Sequence, residues 1–243
     1  MTLLLLRNFE VRLCAMTSDF EKMIRNGVFF PNHKTSMLEA DLFRDMETIL
    51  RFNGFQLLSV PSIVTKETYE RQGTIPWERV FRLNDDLALA GSAEQGILEM
   101  FTGKTVNKLS KFYAKNQCFR NESKPYEGLK RLREFTKMEQ FIFCPEDRHK
   151  EMFDLSLNIA LNFLRSHNIE CRTVDTTKTD EGIHLKKVDV EVYTKTYGWL
   201  ETHSCSYFGH EQTRRFDIQG GMTTISNTAI ASPRILVPFL ERE

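Results

Sequence analysis

The feature that most limits the fold of this chain is an alternating segment, Val-Asp-Val-Glu-Val-Tyr, at residues 188–193. Successive side chains of a strand point to opposite faces, so this alternation predicts a half-buried β-strand. Apolar runs predict further strands at 55–64, 87–90, 111–119, 135–144, 199–207 and 222–230. These strands follow one another directly and outnumber the helices that could connect them in parallel. We therefore predict an α+β fold with an antiparallel β-sheet flanked by helices.

Three helices are predicted around this sheet. Apolar residues recur at helical spacing from Met37 to Leu50, with Thr35 or Ser36 as the expected cap and Asn53-Gly54 as the end. Residues 146–166 are predicted to form a largely buried helix, and residues 235–240 a closing one. Pro61 interrupts the run at 55–64, which predicts an edge or interface strand. Since no linker-like segment divides the chain, we predict one domain over residues 1–243, with 1–30 as an N-terminal extension.

The composition excludes several functional classes. A chain of 243 residues with 41% hydrophobic side chains is typical of a folded globular protein. Its 33 Lys and Arg balance 33 Asp and Glu, so any binding of phosphate must be local. Arg7 interrupts the apolar N-terminus too early for a signal peptide or a membrane span. Five scattered cysteines without a CxxC pair favour free thiols, and we expect a cytoplasmic protein that does not bind membranes.

Two neighbouring segments, 119–122 and 131–139, combine arginines, an aromatic residue and carboxylates. If both are strands, alternation places Arg120 and Glu122 on one face, and Phe135 shares a face of the partner strand with Glu139. Arginine pairs with phosphate, an aromatic ring stacks on a base, and a carboxylate accepts a hydrogen bond from an amine. The set could therefore hold a nucleotide. On residue types alone, a salt-bridged surface hairpin is the favoured alternative.

The order of several segments resembles the class II aminoacyl-tRNA synthetases. Segments 119–122 and 128–139 resemble motif 2 of that family. Four other segments match the family in sequence order. Residues 54–61 resemble motif 1, and Gly73-Thr74-Ile75-Pro76 resembles the loop before the pocket. Ser92-Ala93-Glu94 resembles the Thr-Ala-Glu loop, and residues 231–234 with 240–241 resemble the motif 3 helix. The implied fold agrees with the antiparallel sheet predicted above.

Within that class, the chain is most similar to the zinc-free seryl-tRNA synthetases. Glu-Thr-His-Ser-Cys-Ser at 201–206 and Gln-Thr-Arg-Arg at 212–215 are similar to two seryl segments. The zinc-binding relatives need a Cys where this chain has Ser92, and a second zinc-ligand position is Phe141. In the family, a glycine-rich run precedes the motif 3 arginine. This chain departs from that pattern, because it has Ser-Asn-Thr-Ala at 226–229 and Pro233 directly before Arg234. The resemblance covers roughly residues 30–243.

This resemblance implies ATP and Mg²⁺ as cofactors. Arg120 and Arg131 would hold the ATP phosphates, and Arg234 would stack on the adenine and touch the γ-phosphate. Glu201 and Ser204 would bind Mg²⁺ between the phosphates. Arg120, Arg234 and Glu201 are thus the candidate catalytic residues.

The same resemblance implies contacts to the base and to the amino acid. Glu122 would meet the adenine amine, and Phe135 would stack on the ring. Glu139 would bind the ammonium group of the substrate. The side-chain pocket would be lined by Ser92, Glu94 and Thr224.

The implied function is activation of serine, or another small amino acid, to an aminoacyl-adenylate in a homodimer built through motif 1. The acceptor stays open between tRNA, a carrier protein and a small molecule. Because the segment before motif 1 is too short for the tRNA-binding arm of seryl enzymes, we predict poor charging of tRNA by this chain alone. Two alternatives remain: a non-catalytic synthetase paralogue acting as a binding or regulatory subunit, and a sheet protein with a chance resemblance.

Overall fold

The computed structural model describes residues 21–121 and 127–242. The strands are β1 Ile24–Arg25, β2 Val28–Phe29, β3 Gln56–Leu57, β4 Ile63–Thr65, β5 Leu87–Leu89, β6 Ser110–Phe119, β7 Glu134–Cys144, β8 Cys171–Asp175, β9 Lys186–Thr194, β10 Gly198–Gly209 and β11 Thr223–Ser232. The α-helices are α1 His33–Phe52, α2 Lys66–Gln72, α3 Ala93–Phe101, α4 His149–Ser166, α5 Glu211–Arg215 and α6 Val237–Leu240. Short 3₁₀ helices lie at Glu21–Met23, Trp77–Arg79, Gly128–Lys130, Glu146–Arg148 and Arg234–Leu236.

Seven strands form the main sheet in the order β3-β6-β7-β11-β10-β9-β8. Every neighbouring pair is antiparallel except β3 and β6, which run parallel. The predicted fold class is confirmed. The run predicted as one strand at 55–64 is divided: β3 joins the main sheet, β4 pairs with β5 in a separate sheet, and Pro61 lies between them. Proline cannot donate to a ladder, which agrees with its place outside both strands.

The two faces of the main sheet have different coverings. On β7, Met138 and Ile142 belong to the main apolar core together with residues of α1 and α4. Phe141 and Phe143 point the other way and pack in a second cluster with α3. That second face is covered by α3 only near this end of β7. Towards the start of β7 it stays open, and the candidate site lies there.

Helix α1 begins earlier than predicted. Asn32 is the N-cap, and its Oδ1 accepts a hydrogen bond from the backbone N–H of Thr35 at 3.0 Å. The predicted cap at Thr35 or Ser36 is therefore wrong, because both residues lie in the first turn and both hydroxyls donate to the backbone carbonyl of Asn32. The predicted end is confirmed: Asn53 is the C-cap, and Gly54 has φ +77°, which favours glycine.

Several short elements escaped prediction. They are the hairpin β1-β2, strand β8 and helices α2, α3 and α5. In the predicted N-terminal extension, the carbonyl of Gly27 accepts the N–H of Arg133 at 2.8 Å, which ties the hairpin to the chain just before β7. Among the residues described, no helix is both long and apolar enough to cross a lipid bilayer.

Candidate active site

Two adjoining cavities lie on the open face of the sheet. The first has a volume of about 320 Å³ and is lined by Arg79, Arg120, Leu129, Lys130, Arg131, Leu132, Phe135, Lys137, Lys187, Glu201, Thr202, Ser204, Thr228, Ala231, Ser232, Pro233 and Arg234. The second has a volume of about 230 Å³ and is lined by Gln72, Thr74, Ile75, Pro76, Arg79, Ser92, Glu94, Arg120, Lys137, Glu139, Glu181, Gly182, His184, Lys187, Ser204, Ser206, Phe208, Ser226 and Thr228. The residues common to both are Arg79, Arg120, Lys137, Lys187, Ser204 and Thr228. The cavities thus form one continuous cleft.

Strand β7 runs along this cleft with every second side chain facing it. Phe135 lines the first cavity, Lys137 lines both, and Glu139 lines the second. The predicted common face of Phe135 and Glu139 is confirmed. Lys137, between them on the same face, lies where the two cavities join.

The guanidinium group of Arg120 lines the first cavity. Arg120 places its Cζ 5.3 Å from the ring centroid of Phe135. Its Nε is buried and has no hydrogen-bond partner among the described residues. A buried donor without a partner is costly, and an anionic oxygen in the cavity would satisfy it.

Arg234 closes the same cavity from the end of β11. Its Nη1 lies 3.3 Å from Oε1 of Glu201 and donates to the carbonyl of Glu201 at 3.2 Å. Its Nε donates to the carbonyl of Lys130 at 3.1 Å. Burial lowers the pKa of Arg234, while the Glu201 carboxylate acts in the opposite direction. Arginine stays charged under such shifts, so the cavity has a fixed cation here.

The second cavity is acidic at its base. Oε1 of Glu139 accepts hydrogen bonds from Oγ of Ser226 and Nζ of Lys137, each at 3.0 Å, and Oε2 lies 2.9 Å from the same Nζ. Burial raises the pKa of Glu139, and the Lys137 ammonium opposes that rise. An incoming ammonium group would therefore meet a carboxylate that already has one cation beside it.

Glu94 is held by two amide side chains. Its Oε1 accepts from Nε2 of Gln72 at 2.9 Å and from Nε2 of Gln212 at 2.7 Å. Thr224 lies behind this wall and donates to Oε1 of Gln212 at 2.6 Å. Ser92 lines the cavity and caps α3, since its Oγ accepts the N–H of Glu94. Glu94 and Ser92 thus face the cavity directly, whereas Thr224 lies outside the lining of both cavities and is connected to it only through Gln212 and then Glu94.

Comparison of the chain with known proteins identifies the family to which it belongs. The model described as "tRNA synthetase class II core domain (G, H, P, S and T)" matches residues 78–237. The chain belongs to this family. The match includes both long strands of the motif 2 hairpin, β10 and β11, and therefore most of the cleft.

Seryl enzymes are among the similar proteins. A serine–tRNA ligase of Deinococcus radiodurans is 32% identical over 92% of this chain and 59% of its own length. A seryl-tRNA synthetase of Pyrococcus horikoshii, solved with ATP, superposes with a TM-score of 0.81 at 24% identity, over 92% of this chain and 55% of that one. A cytoplasmic serine–tRNA ligase of Naegleria fowleri, solved with AMP, gives a TM-score of 0.80 at 22% identity, over 93% and 52%. The chain thus spans little more than half the length of these relatives.

Most of the predicted site residues line the cleft of this class II core. Those in the first cavity are Arg120, Arg131, Phe135, Glu201, Ser204 and Arg234; those in the second are Ser92, Glu94 and Glu139. Arg120 and Ser204 line both cavities. Glu122 lies outside the described residues.

Sequence reasoning missed three cations of this class II core: Arg79, Lys137 and Lys187. Two of them had a signal that could have been used. Lys137 and Lys187 each precede an acidic strand residue by two positions, so the alternation of the strand places them on the same face as Glu139 and Asp189. Arg79 follows a loop and had no such signal.

The oxygen ligands present fit Mg²⁺. Glu201 and Ser204 line the first cavity beside its arginines. Burial raises the pKa of Asp189, and the nearby negative charge of Glu201 adds to that rise. No three His, Cys, Asp or Glu of residues 21–121 and 127–242 form a complete metal cluster. Mg²⁺ is commonly bound by one or two protein carboxylates together with phosphates of the substrate. A site with few protein ligands, such as Glu201 and Ser204, therefore suits it.

Proposed function

We propose that this class II core activates an amino acid, with serine favoured, by joining it to the AMP part of ATP. The observation that carries this proposal is the continuity of the cleft. One cavity has arginines, an aromatic ring and a buried Arg120 Nε without a partner, and the adjoining cavity has Glu94 and Glu139. A nucleotide phosphate and the carboxylate of an amino acid would meet at their junction.

The chemistry needs positioning more than proton transfer. The substrate carboxylate is ionised at neutral pH, so its attack on the α-phosphorus requires no general base. Arg120 and Arg131 would bind the phosphates, Phe135 and Glu122 the adenine, and Arg234 the adenine and γ-phosphate. Charge that develops on the phosphate would be stabilised by these fixed cations. Mg²⁺, held by Glu201 and Ser204, would supply further neutralisation of the phosphates.

Serine is favoured by the lining of the second cavity. Its lining includes six residues with hydroxyl side chains: Thr74, Ser92, Ser204, Ser206, Ser226 and Thr228. Together with Glu94 and Glu139 they suit a small substrate that carries an ammonium group and a polar side chain. Thr224 would support this wall through Gln212. The seryl names of the relatives favour the same amino acid.

The acceptor proposed first is tRNA, because the relatives are named for it. A carrier protein or a small molecule remains the alternative, and poor charging of tRNA by this chain alone remains a prediction. Aminoacylation of total tRNA, measured beside adenylate formation at about 150 mM salt, distinguishes these acceptors. Charging at a rate comparable to adenylate formation would contradict the prediction of poor charging.

We also propose that the protein is a cytoplasmic homodimer. In each protomer, the sheet and its cleft would belong to a single catalytic domain. Phe52, at the end of α1, exposes 91% of its surface, and Leu57 on the edge strand β3 exposes 50%. Exposed apolar side chains at the motif 1 elements suit an interface with a second copy. Light scattering that gives a monomer at micromolar concentration would refute the dimer.

The decisive experiment is ATP–pyrophosphate exchange with each of the twenty amino acids. A signal with serine is the expected result. A signal with another small amino acid would change the substrate but keep the reaction. No signal with any amino acid, from a chain that still binds ATP, would instead favour the non-catalytic paralogue.

A further inference from the structure

Arg79 lies at the junction of the two cavities. It ends the 3₁₀ helix Trp77–Arg79 in the connection between α2 and β5. Its side chain is exposed and lines both cavities. Arg79 therefore reaches the cleft from a loop, opposite the sheet residues that form the floor.

The four cations at this junction differ in whether they have a carboxylate partner. Lys137 is paired with Glu139 at 2.9 Å. Lys187 is paired with Asp180 and lies 3.8 Å from Oδ1 of Asp189. In the described parts of the chain, the side chains of Arg79 and Arg120 have no ion-pair partner. The positive charge that remains for a ligand at the junction is thus carried by two guanidinium groups.

The backbone holds these two arginines together. The carbonyl of Arg79 accepts the N–H of Asn121, the residue after Arg120, at 2.9 Å. The N–H of Arg79 donates to the carbonyl of Pro76, also at 2.9 Å. The next residue, Val80, is buried with 3% exposure and packs with Tyr69 and Ala88 in a small apolar cluster. The position of the Arg79 backbone is therefore fixed relative to Arg120.

We propose that Arg79 binds the α-phosphate of the nucleotide together with Arg120. This inference rests on the proposed function. In that reaction an oxygen of the amino acid carboxylate forms a bond to the α-phosphorus. The bond from this phosphorus to the bridging oxygen breaks, and its electron pair leaves with pyrophosphate. Negative charge grows on the α-phosphate oxygens at the junction, where a second guanidinium without a carboxylate partner stabilises it.

The test compares the binding of adenosine, AMP and ATP by calorimetry to the wild-type chain, Arg79→Ala and Arg79→Lys. Arg82→Ala is the matched control, because Arg82 is an exposed arginine of the same connection that lines neither cavity. Loss of one charge-assisted contact at a partly hydrated site predicts about tenfold weaker AMP binding by Arg79→Ala. We expect a similar factor for ATP, no change for adenosine, and partial recovery in Arg79→Lys.

Each other outcome has a defined meaning. Unchanged AMP affinity in Arg79→Ala overturns the inference. A loss for ATP alone also overturns it, because Arg79 would then contact the β- or γ-phosphate. Weaker adenosine binding would show a distorted nucleoside pocket and overturn it as well. If the wild-type chain binds neither AMP nor ATP, the proposed function fails, and that result is distinct from a normal wild-type affinity with an unaffected variant.

Discussion

The two faces of β7 show how one strand serves stability and chemistry separately. On one face, Met138 and Ile142 are almost fully buried in the main core. On the other, Phe135, Lys137 and Glu139 line the cleft. Because the alternation of a strand keeps these sets apart, a change on one face leaves the contacts of the other intact. Substitutions on the core face should reduce stability, and those on the cleft face should reduce binding or rate.

The largest expected effect is on the cleft side, from Arg120→Ala. Removing a cation that binds the phosphates should reduce the exchange rate about 10²–10³-fold, with little change in the free energy of unfolding. Pyrophosphate exchange and urea unfolding measure the two quantities. Arg82→Ala, outside the cleft, should leave both unchanged. If Arg120→Ala kept more than about a third of the rate, the phosphate role of Arg120 would be refuted.

On the core face, Ile142→Ala should have the opposite profile. Ile142 has no exposed surface, so its truncation removes apolar contacts and leaves a cavity, at a cost of about 3 kcal/mol in the free energy of unfolding. The exchange rate per folded molecule should stay within about twofold of wild type at 25 °C. An equal loss of rate and stability would mean that the two faces are coupled.

The core face also predicts a dependence of stability on pH. His203 on β10 is fully buried near Phe163 of α4, which belongs to the same core, and burial lowers the pKa of His203 from 6.5 to about 4. The unfolded chain therefore binds a proton between these values that the folded chain does not, so the stability that His203 contributes falls as the pH falls from 6.5 towards 4. The loss amounts to about 3 kcal/mol.

His203→Gln removes this titration. Urea unfolding at several pH values should show a flatter loss of stability in the variant than in the wild type over that range. A comparison of slopes is independent of any general destabilisation by the substitution. Identical slopes would show that another group causes the acid sensitivity.

The smallest expected effect is again in the cleft. Glu139→Gln should raise the KM for the amino acid in exchange about tenfold while the KM for ATP stays within about twofold. Protonation of Glu139 removes the charge that binds the ammonium group, so wild-type affinity for the amino acid should weaken as the pH falls. Because burial raises the pKa of Glu139, this weakening should begin at a higher pH than it would for an ordinary Glu. That dependence should vanish in the variant. Glu134→Gln, on the same strand but outside both cavities, is the matched control; an unchanged KM in Glu139→Gln would refute the ammonium role.

Sequence patterns anticipated the long elements well, because β6, β7, β9, β10 and β11 each combine a buried face with strand-forming residues. They failed for the short ones. α2 and β8 span too few residues for a periodic pattern to emerge, and tertiary contacts decide their conformation. The candidate site shows the same limit. Arg120 and Glu139 were found through local motifs, whereas the place of Arg79 depends on how a distant loop packs against the sheet.

The position of β11 has a consequence for synthesis of the chain on the ribosome. β11 is the last strand of the described sequence, yet it occupies the centre of the main sheet. Among the strands of residues 21–121 and 127–242, β11 alone joins the group β3-β6-β7 to the group β10-β9-β8 by backbone hydrogen bonds. Until β11 has emerged, a nascent chain therefore exposes two unpaired strand edges, on β7 and β10. Both edges are open to wrong pairing, which makes this interval the stage at which a chaperone would matter most.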